Sequence, residues 1–469
     1  MAMTASQDSE ETHFGYVIFI AGAAAMGGFL FGYDSAVING AVTGIQKHFN
    51  VGANTTGFTV AAALLGSAVG AWFAGHAADR YGRVKVMLTA ALLFFISGIG
   101  SGLAFSIWDL AAWRVVGGIA IGLASVIAPA YIAEVAPAQY RGRLGSLQQM
   151  AIVLGIFISQ LANYALAQGA GGHSENKLGP LEAWQWMLMA EALPALLYGG
   201  LALIVPESPR YLIASNQHDR AVDVLLKVEG SKTDVEGRIR EIRSVISSEH
   251  KPGFRDLLGP SGFLLPIVLI GIGLSVFQQF VGINVIFYYS SLLWQSVGID
   301  ESNSLLISIS TSLVNIVGTV VAITVIDRVG RKPLALIGST GMTIALLSLS
   351  WAFKHAVGTG GDAKLSNGYA TLALVGAHVY VFFFAMSWGV VVWVMLGEMF
   401  PNKIRALALS VAASFQWMAN WIITQSFPSM SRWSLTGSYL IYACMAFLSI
   451  LFVLRFIKET KGKSLEQMG

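Results

Sequence analysis

The apolar residues of this 469-residue chain gather into twelve long runs, and that constrains the fold more than any other feature. The runs fall at about 15–40, 57–78, 85–105, 107–133, 145–167, 184–205, 263–292, 303–326, 333–354, 370–397, 405–427 and 435–457. Each approaches or exceeds the ~20 residues that a helix needs to cross ~30 Å of hydrocarbon at ~1.5 Å per residue. Lipid offers no water to pair backbone N–H and C=O groups, so only helices and closed barrels span it. A barrel strand alternates apolar and polar residues over roughly ten positions, and no segment here does so. Composition agrees, since 55% of residues are apolar and only 12% charged. The 51 glycines suit helices that pack backbone against backbone. The expected fold is an all-α membrane protein with twelve transmembrane helices.

The net charge of +3 is small, and its placement carries the information. Arg80, Arg83, Lys85, Arg141, Arg143, Arg328, Arg331, Lys332, Lys403, Arg405 and the cluster from Arg455 to Lys463 fall on one side of the spans. The other side holds only Lys47, Lys177, Lys354, Lys364 and Arg432. Basic loops stay in the cytoplasm, so both termini are expected there, in a multi-pass protein of the plasma membrane. An even number of spans requires the two termini to agree. The first dozen residues are polar and acidic, without the basic stretch of a cleavable signal, so the first apolar run reads as a retained helix.

Several kinds of chemistry are not expected. The one cysteine, Cys444, lies in an apolar run, which leaves neither a disulfide framework nor a thiolate metal site. The eight histidines are scattered and receive no role. No nucleophile–base pair, metal-ligand spacing or phosphate loop stands in chemical context. The chain is therefore not read as an enzyme, and no metal, cofactor or nucleic acid is expected.

Short charged phrases occur twice. Asp79-Arg80-Tyr81-Gly82-Arg83 returns as Asp327-Arg328-Val329-Gly330-Arg331. Glu134, Pro137 and Arg141 return as Glu398, Pro401 and Arg405, and Glu207 returns as Glu459. The separations are roughly 250 to 265 residues, the mark of two related halves. In an apolar chain such repeats usually belong to transporters, with the substrate site between the halves. The expected organisation is a bundle over 1–205, a linker over 206–262, a second bundle over 263–457 and a tail over 458–469. In the linker, Ala221, Val224, Leu225 and Val228 share one helical face, and Val235, Ile239, Ile242 and Ile246 share another. Short amphipathic surface helices are expected, either as a plain linker or with a part in gating.

Three ionisable residues lie inside spans: Asp34, Arg114 and Glu191. Charges at membrane depth are expensive and face a partner or a wet cavity. Counting from the span ends places all three in one layer of the N-terminal half, with Arg114 and Glu191 each ~9 Å deep at helical rise. A carboxylate beside an arginine can bind and release a proton as its surroundings change. It can equally be a permanent ion pair that fixes helix packing. Amides recur within the spans too: Gln148, Gln149, Gln278, Gln279, Asn284, Asn315, Gln416 and Asn420. Their paired donors and acceptors suit a neutral, hydroxyl-rich ligand, although intramembrane amides also join helices. Phe31, Tyr288, Trp393 and Trp417 could add flat apolar faces. On the basic side, the repeated acid–base phrases are either topology signals or salt bridges that hold the inner helix ends together. Exposed ion pairs are worth little singly, so such bridges could break and re-form.

Taken together, these residues resemble the sugar porter family of the major facilitator superfamily over nearly the whole chain. The resemblance is carried by Phe31 to Asp34, Gly75 to Arg83, Arg114 with Gly117-Gly118, Tyr131 to Glu134, Arg141-Gly142, Pro206-Glu207-Ser208-Pro209-Arg210, Gln278-Gln279-Phe280-Val281-Gly282-Ile283-Asn284, Asp327 to Lys332 and Glu459 to Gly462. It implies two pseudo-symmetric six-helix bundles, alternating access and a monosaccharide bound between them. Gln149, Gln278, Gln279, Asn284, Tyr288, Asn315, Trp393 and Gln416 match the family's sugar-contacting set, and Phe31 an aromatic wall. Asp34 and Arg114 match the proton-coupling pair of bacterial symporters, with Glu191 alongside. Asp79, Arg80, Arg83, Glu134, Arg141, Glu207, Arg210, Asp327, Arg328, Arg331, Glu398, Arg405 and Glu459 match the cytoplasmic gate.

The implied function is proton-coupled import of a sugar, D-glucose first, by a carrier that acts as a monomer in the lipid bilayer. D-xylose, a broader sugar range, a facilitative uniporter and a membrane sugar sensor are the alternatives. Two positions depart from the family pattern. Val390 replaces a proline before the span-10 tryptophan, which removes an expected kink, and Lys458 replaces the proline that opens the last motif.

Overall fold

A computed structural model of the chain describes residues 2–136, 141–230, 234–248, 254–260, 262–357, 364–401 and 404–459. Eighteen α-helices follow in order among them. They are α1 (Ala2–Phe49), α2 (Ala53–Tyr81), α3 (Arg83–Gly102), α4 (Ile107–Val135), α5 (Arg141–Gly169), α6 (Ala183–Met189), α7 (Ala192–Ile204), α8 (Pro209–Ala214) and α9 (His218–Glu229). The second set is α10 (Val235–Ser248), α11 (Pro266–Phe280), α12 (Ile283–Gln295), α13 (Glu301–Val329), α14 (Arg331–Lys354), α15 (Asn367–Ala385), α16 (Trp388–Met399), α17 (Arg405–Trp433) and α18 (Leu435–Phe456). They supply twelve stretches long and apolar enough to cross a membrane, the first Gly15–Phe49 and the last Leu435–Phe456. A two-stranded hairpin, Lys177–Leu178 against Leu181–Glu182, caps one end of the first half. The connection through α8, α9 and α10 runs along the other end, here called the linker face.

The twelve runs read from the sequence match these spans, with the largest displacement at the end of the first. The first continues to Phe49, beyond the expected end near residue 40. Asn39 and Thr43, which end the apolar pattern, are buried against other helices instead of facing water. Asp34 therefore lies deeper from the helix end than the count from the sequence allowed.

Three spans are broken, which hydropathy did not indicate. In the sixth, Pro194 has no N–H to give the Ala190 carbonyl, and Leu193 N turns back to that carbonyl at 3.2 Å instead. The break falls at Glu191, between α6 and α7. In the seventh, Gly282 adopts φ 86°, a left-handed conformation that stops α11 and starts α12. Tyr380 Oη donates to the freed carbonyl of Val281 at 2.6 Å. In the tenth, Met386 and Ser387 separate α15 from α16. The lost kink expected from Val390 is thus corrected: the span breaks without that proline. Ser387 leaves helical geometry at φ −133°, ψ −92°, and Trp388 Nε1 is pinned to Ser339 Oγ at 2.8 Å.

Small residues bring the helices of each half together. A methyl group on Gly66 of α2 would stand 2.9 Å from the backbone N of Ile119 on α4. One on Gly155 of α5 would stand 2.9 Å from the Tyr33 backbone N of α1. Only glycine permits these approaches, and packing of this kind replaces the hydrophobic driving force that lipid lacks. Side chains such as Trp72, Phe73, Leu193 and Leu203 are left on the outside, as a lipid-facing surface requires. In the linker, Ala221, Val224, Leu225, Val228 and Ile239 are buried, as their helical spacing predicted.

Candidate functional site

The charged residues inside the spans meet. Arg114 on α4 donates from Nη1 to Asp34 Oδ1 and, at 3.2 Å, to the Asp34 backbone carbonyl. The two side chains are 4% and 2% exposed, so the pair is sealed from water. Gly117, one turn beyond Arg114, leaves room for the carboxylate: a methyl there would stand 2.9 Å from Asp34 Oδ2 and 3.0 Å from Ser97 Oγ. Next to Ser97, Gly98 faces Glu191, whose Cβ would stand 3.4 Å from a methyl on that glycine. The Ser97-Gly98 step of α3 thus joins Asp34 to Glu191. Asp34 Oδ2, Arg114 Nε and Glu191 Oε1 are buried without a hydrogen-bond partner.

Amides gather around the break in the seventh span. Gln278 Nε2 donates to the Trp388 carbonyl at 2.9 Å. Gln278 Oε1 accepts from Gln279 Nε2 at 3.3 Å and from Gln416 Nε2 at 2.5 Å. Across the Gly282 turn, Asn284 Nδ2 donates to Gln279 Oε1 at 2.5 Å. An unbroken helix would not turn Asn284 back onto Gln279. The free carbonyl oxygens of Gln416 and Gln148 are buried without a partner. Buried amide groups left unpaired are costly unless something pairs with them. Phe31 of the first half meets Trp417 of the second with ring centroids 5.8 Å apart, next to Gln416.

The remaining candidates are placed less tightly. Tyr288 and Asn315 are buried on α12 and α13. Gln149 is half-buried, whereas its neighbour Gln148 is buried. Trp393 is 43% exposed. The sequence reading passed over Trp388, fully buried, whose carbonyl anchors Gln278. Only its position beside an unforeseen break could have drawn attention to it.

On the linker face the repeated phrases form the same knot twice. Arg83 Nε and Nη2 donate to Glu134 at 2.9 and 2.8 Å, and Asp79 stands 3.2 Å from Arg83. Arg331 Nε and Nη2 donate to Glu398 at 3.1 and 2.8 Å, and Asp327 stands 2.9 Å from Arg331. Forked contacts of this kind are stronger than single ones. Glu207 accepts from the backbone N of Arg83 at 2.9 Å and of Val84 at 3.2 Å. Glu459 accepts from the backbone N of Arg331 and of Lys332, each at 3.0 Å. Each glutamate satisfies two free donors at a helix start and meets its positive dipole end.

The sequence had grouped Glu134 with Arg141 and Glu398 with Arg405. The structure joins these glutamates to Arg83 and Arg331, from the other phrase, because two helix ends meet there in space. Arg405 Nε donates to the Phe400 carbonyl at 3.0 Å. The Arg141 side chain lies outside the described residues. Arg80 and Arg328 are exposed, and Arg210 shares a cleft with Glu134 and with Arg238, Glu241 and Ile242 of α10.

Hydrogen bonds joining the two halves gather toward the face opposite the linker. Asn39 Nδ2 donates to Ser308 Oγ at 3.0 Å, and Asn39 Oδ1 accepts from Ser291 N at 2.8 Å. Gln295 Nε2 donates to Thr43 Oγ1 at 3.0 Å, Ser174 N to Glu301 Oε1 at 3.1 Å, and Gln425 Nε2 to the Asn54 carbonyl at 3.3 Å. Among the described residues these bonds hold the two halves together at that face, here called the closed face.

Two six-helix halves, hydrogen-bonded to each other toward one face and carrying buried amides around a helix break, define a membrane transporter with the major facilitator fold. Residues 20–469 match the family described as Sugar (and other) transporter. The chain belongs to this family as a sugar porter, so it is a carrier and not an enzyme. It is 58% identical over 455 residues to a glucose transport protein of Synechocystis sp., covering 97% of each chain. It is 38% identical over 486 residues to the D-xylose-proton symporter of Escherichia coli, covering 97% of this chain and 95% of the relative. The inward-open structure of the xylose transporter XylE from E. coli superposes with a TM-score of 0.82 at 37% identity, covering 97% of this chain and 99% of that one. Its partially occluded inward-open form gives 0.83 at 37% identity, covering 96% and 100%.

Proposed function

We propose that the chain imports D-glucose together with a proton by alternating access. One observation carries this reading: the sealed Asp34–Arg114 pair lies in the same protein as a connected amide network at a helix break. The pair supplies a site for one proton, and the network supplies uncharged donors and acceptors for sugar hydroxyls.

The proposed roles divide as follows. Asp34, Arg114 and Glu191 couple the proton. Phe31, Gln149, Gln278, Gln279, Asn284, Tyr288, Asn315, Trp393 and Gln416 hold the sugar. A proton on Asp34 removes the charge that holds Arg114, which then turns toward Glu191. Loss of the proton restores the first pairing. Exchange between two pairings gives the halves two discrete arrangements, as coupling requires.

The excess of Lys and Arg on the linker face supports a cytoplasmic position for that face and for both termini in a plasma-membrane protein. The closed face is then the outer one, and the arrangement faces inward, in keeping with the likeness to inward-open relatives. Residues 1–205 and 263–457 rock as bundles, 206–262 link them, and a monomer suffices; the expected tail beyond Glu459 lies outside the described residues. The twin knots at Arg83 and Arg331 keep each bundle's inner helix ends together as it moves.

D-xylose is the second reading, favoured by the 38% identical D-xylose-proton symporter. Amides that take the ring hydroxyls of one sugar accept those of the other, which differ by a hydroxymethyl group. Purified protein in proteoliposomes, given an acid-outside pulse and labelled sugars, tests both. D-glucose uptake should accelerate under the pulse, and D-xylose taken up faster than D-glucose would favour the second reading. Uptake indifferent to the pulse would make the protein a uniporter.

A further inference from the structure

The loop before the hairpin carries a second cluster of titratable groups, remote from the sugar and proton sites. Gly171 and Gly172, at φ 79° and 93°, turn the chain back after α5 and present His173, Ser174 and Glu175 to the start of α13. Glu301, the first residue of α13, has a side chain only 2% exposed beneath this loop. The cluster therefore joins the two halves at the closed face.

Both carboxylates there have one oxygen without a hydrogen bond. Glu301 Oε1 accepts from Ser174 N at 3.1 Å, while Oε2 is buried with no hydrogen bond and lies 3.4 Å from His173 Nδ1. Glu175 Oε1 accepts from Lys47 Nζ, while Oε2 is buried without a partner. One ligand atom from each of His173, Glu175 and Glu301 lies within 4.8 Å of the other two.

Donors of a tetrahedral Zn²⁺ shell stand about 3.3 Å apart at bond lengths of ~2.0–2.1 Å. Separations of up to 4.8 Å would thus have to close by up to about 1.5 Å to bring the three around one ion. His173 is half exposed, and this open side leaves the fourth position to water.

We propose that His173, Glu175 and Glu301 form an outer site for a divalent transition-metal ion of the Zn²⁺ type, and that the bound ion staples the halves shut on that face. One imidazole with two carboxylates favours Zn²⁺ over Mg²⁺, which takes oxygen ligands in an octahedral shell. The site stands on its own geometry; the stapling rests on the alternating-access reading. Stapled carriers cannot reopen outward, so outside Zn²⁺ would stop the cycle.

Calorimetric titration of purified protein with Zn²⁺, paired with sugar counterflow in proteoliposomes, tests both parts. Wild type should bind one ion, lose counterflow as Zn²⁺ is added outside, and recover it with a chelator. Mg²⁺ at equal concentration should do nothing. His173→Ala and Glu175→Gln alter side chains that are not deeply buried, and should each weaken binding and inhibition at least tenfold. Absence of binding, or unchanged binding in both variants, overturns the site. Binding that leaves counterflow intact overturns the staple alone. Absence of counterflow before any metal is added instead overturns the transport reading.

Discussion

Arg114 holds Asp34 at two points, its carboxylate and its own backbone carbonyl, the latter at 3.2 Å from Nη1. Asp34→Asn retains the shape and abolishes the charge. We expect it to keep sugar exchange in counterflow and to lose accumulation against a gradient. Accumulation by this variant would remove Asp34 from the coupling. Asp34→Ala, which strands a buried arginine, should lower stability by about 3–5 kcal/mol, readable as a fall in Tm.

Gln278 is the hub of the amide network, with bonds to the Trp388 carbonyl, Gln279 and Gln416. Gln278→Ala leaves these partners unpaired, at about 1–3 kcal/mol each. Sugar affinity should fall by about 5- to 150-fold on that scale, measured as the KM for uptake. An unchanged KM would mean the network only joins helices.

Gly282 makes the break on which Asn284 depends. Alanine at φ 86° costs ~1–2 kcal/mol in backbone strain, and its methyl would press to 2.8 Å on the Tyr442 ring. Gly282→Ala should lower both Tm and sugar affinity. Adding Tyr442→Leu relieves the clash and should restore part of the Tm, leaving the strain behind.

Glu207 and Glu459 cap equivalent helices, so their loss should be felt alike. Each change to Ala should cost about 0.5–2 kcal/mol, the usual worth of a helix cap. The double variant should show the sum, because distant sites add. Thermal unfolding with and without sugar would reveal a departure from additivity.

Asn39 bonds the first half to Ser308 and to the Ser291 backbone at the closed face. Asn39→Ala should release that seal and shift the population toward the opposite opening by up to about 2–3 kcal/mol, the net worth of two bonds. Spin-label distances between the Phe49 end of α1 and the Gln295 end of α12 should lengthen. Unchanged distances would show that other contacts hold the face.

Much of the site was legible beforehand because charge and amide groups are conspicuous in apolar segments. Asp34, Arg114 and the Gln278-Gln279 pair stand out for that reason alone. The true partners of Glu134 and Glu398 did not, since a forked contact depends on two helix ends meeting in space. Val390 misled for a related reason: a missing proline says nothing of the Ser387 and Trp388 contacts that break the span anyway.

What the chain alone determined is the number of spans, their twofold repetition and the sidedness of charge. Those follow from hydrocarbon thickness and from the cost of moving lysine and arginine across it. Tertiary structure decided where spans break, which amides touch, and how His173 and Glu175 come to lie over Glu301. Such contacts join residues far apart in sequence, through glycine-lined approaches that no periodicity records.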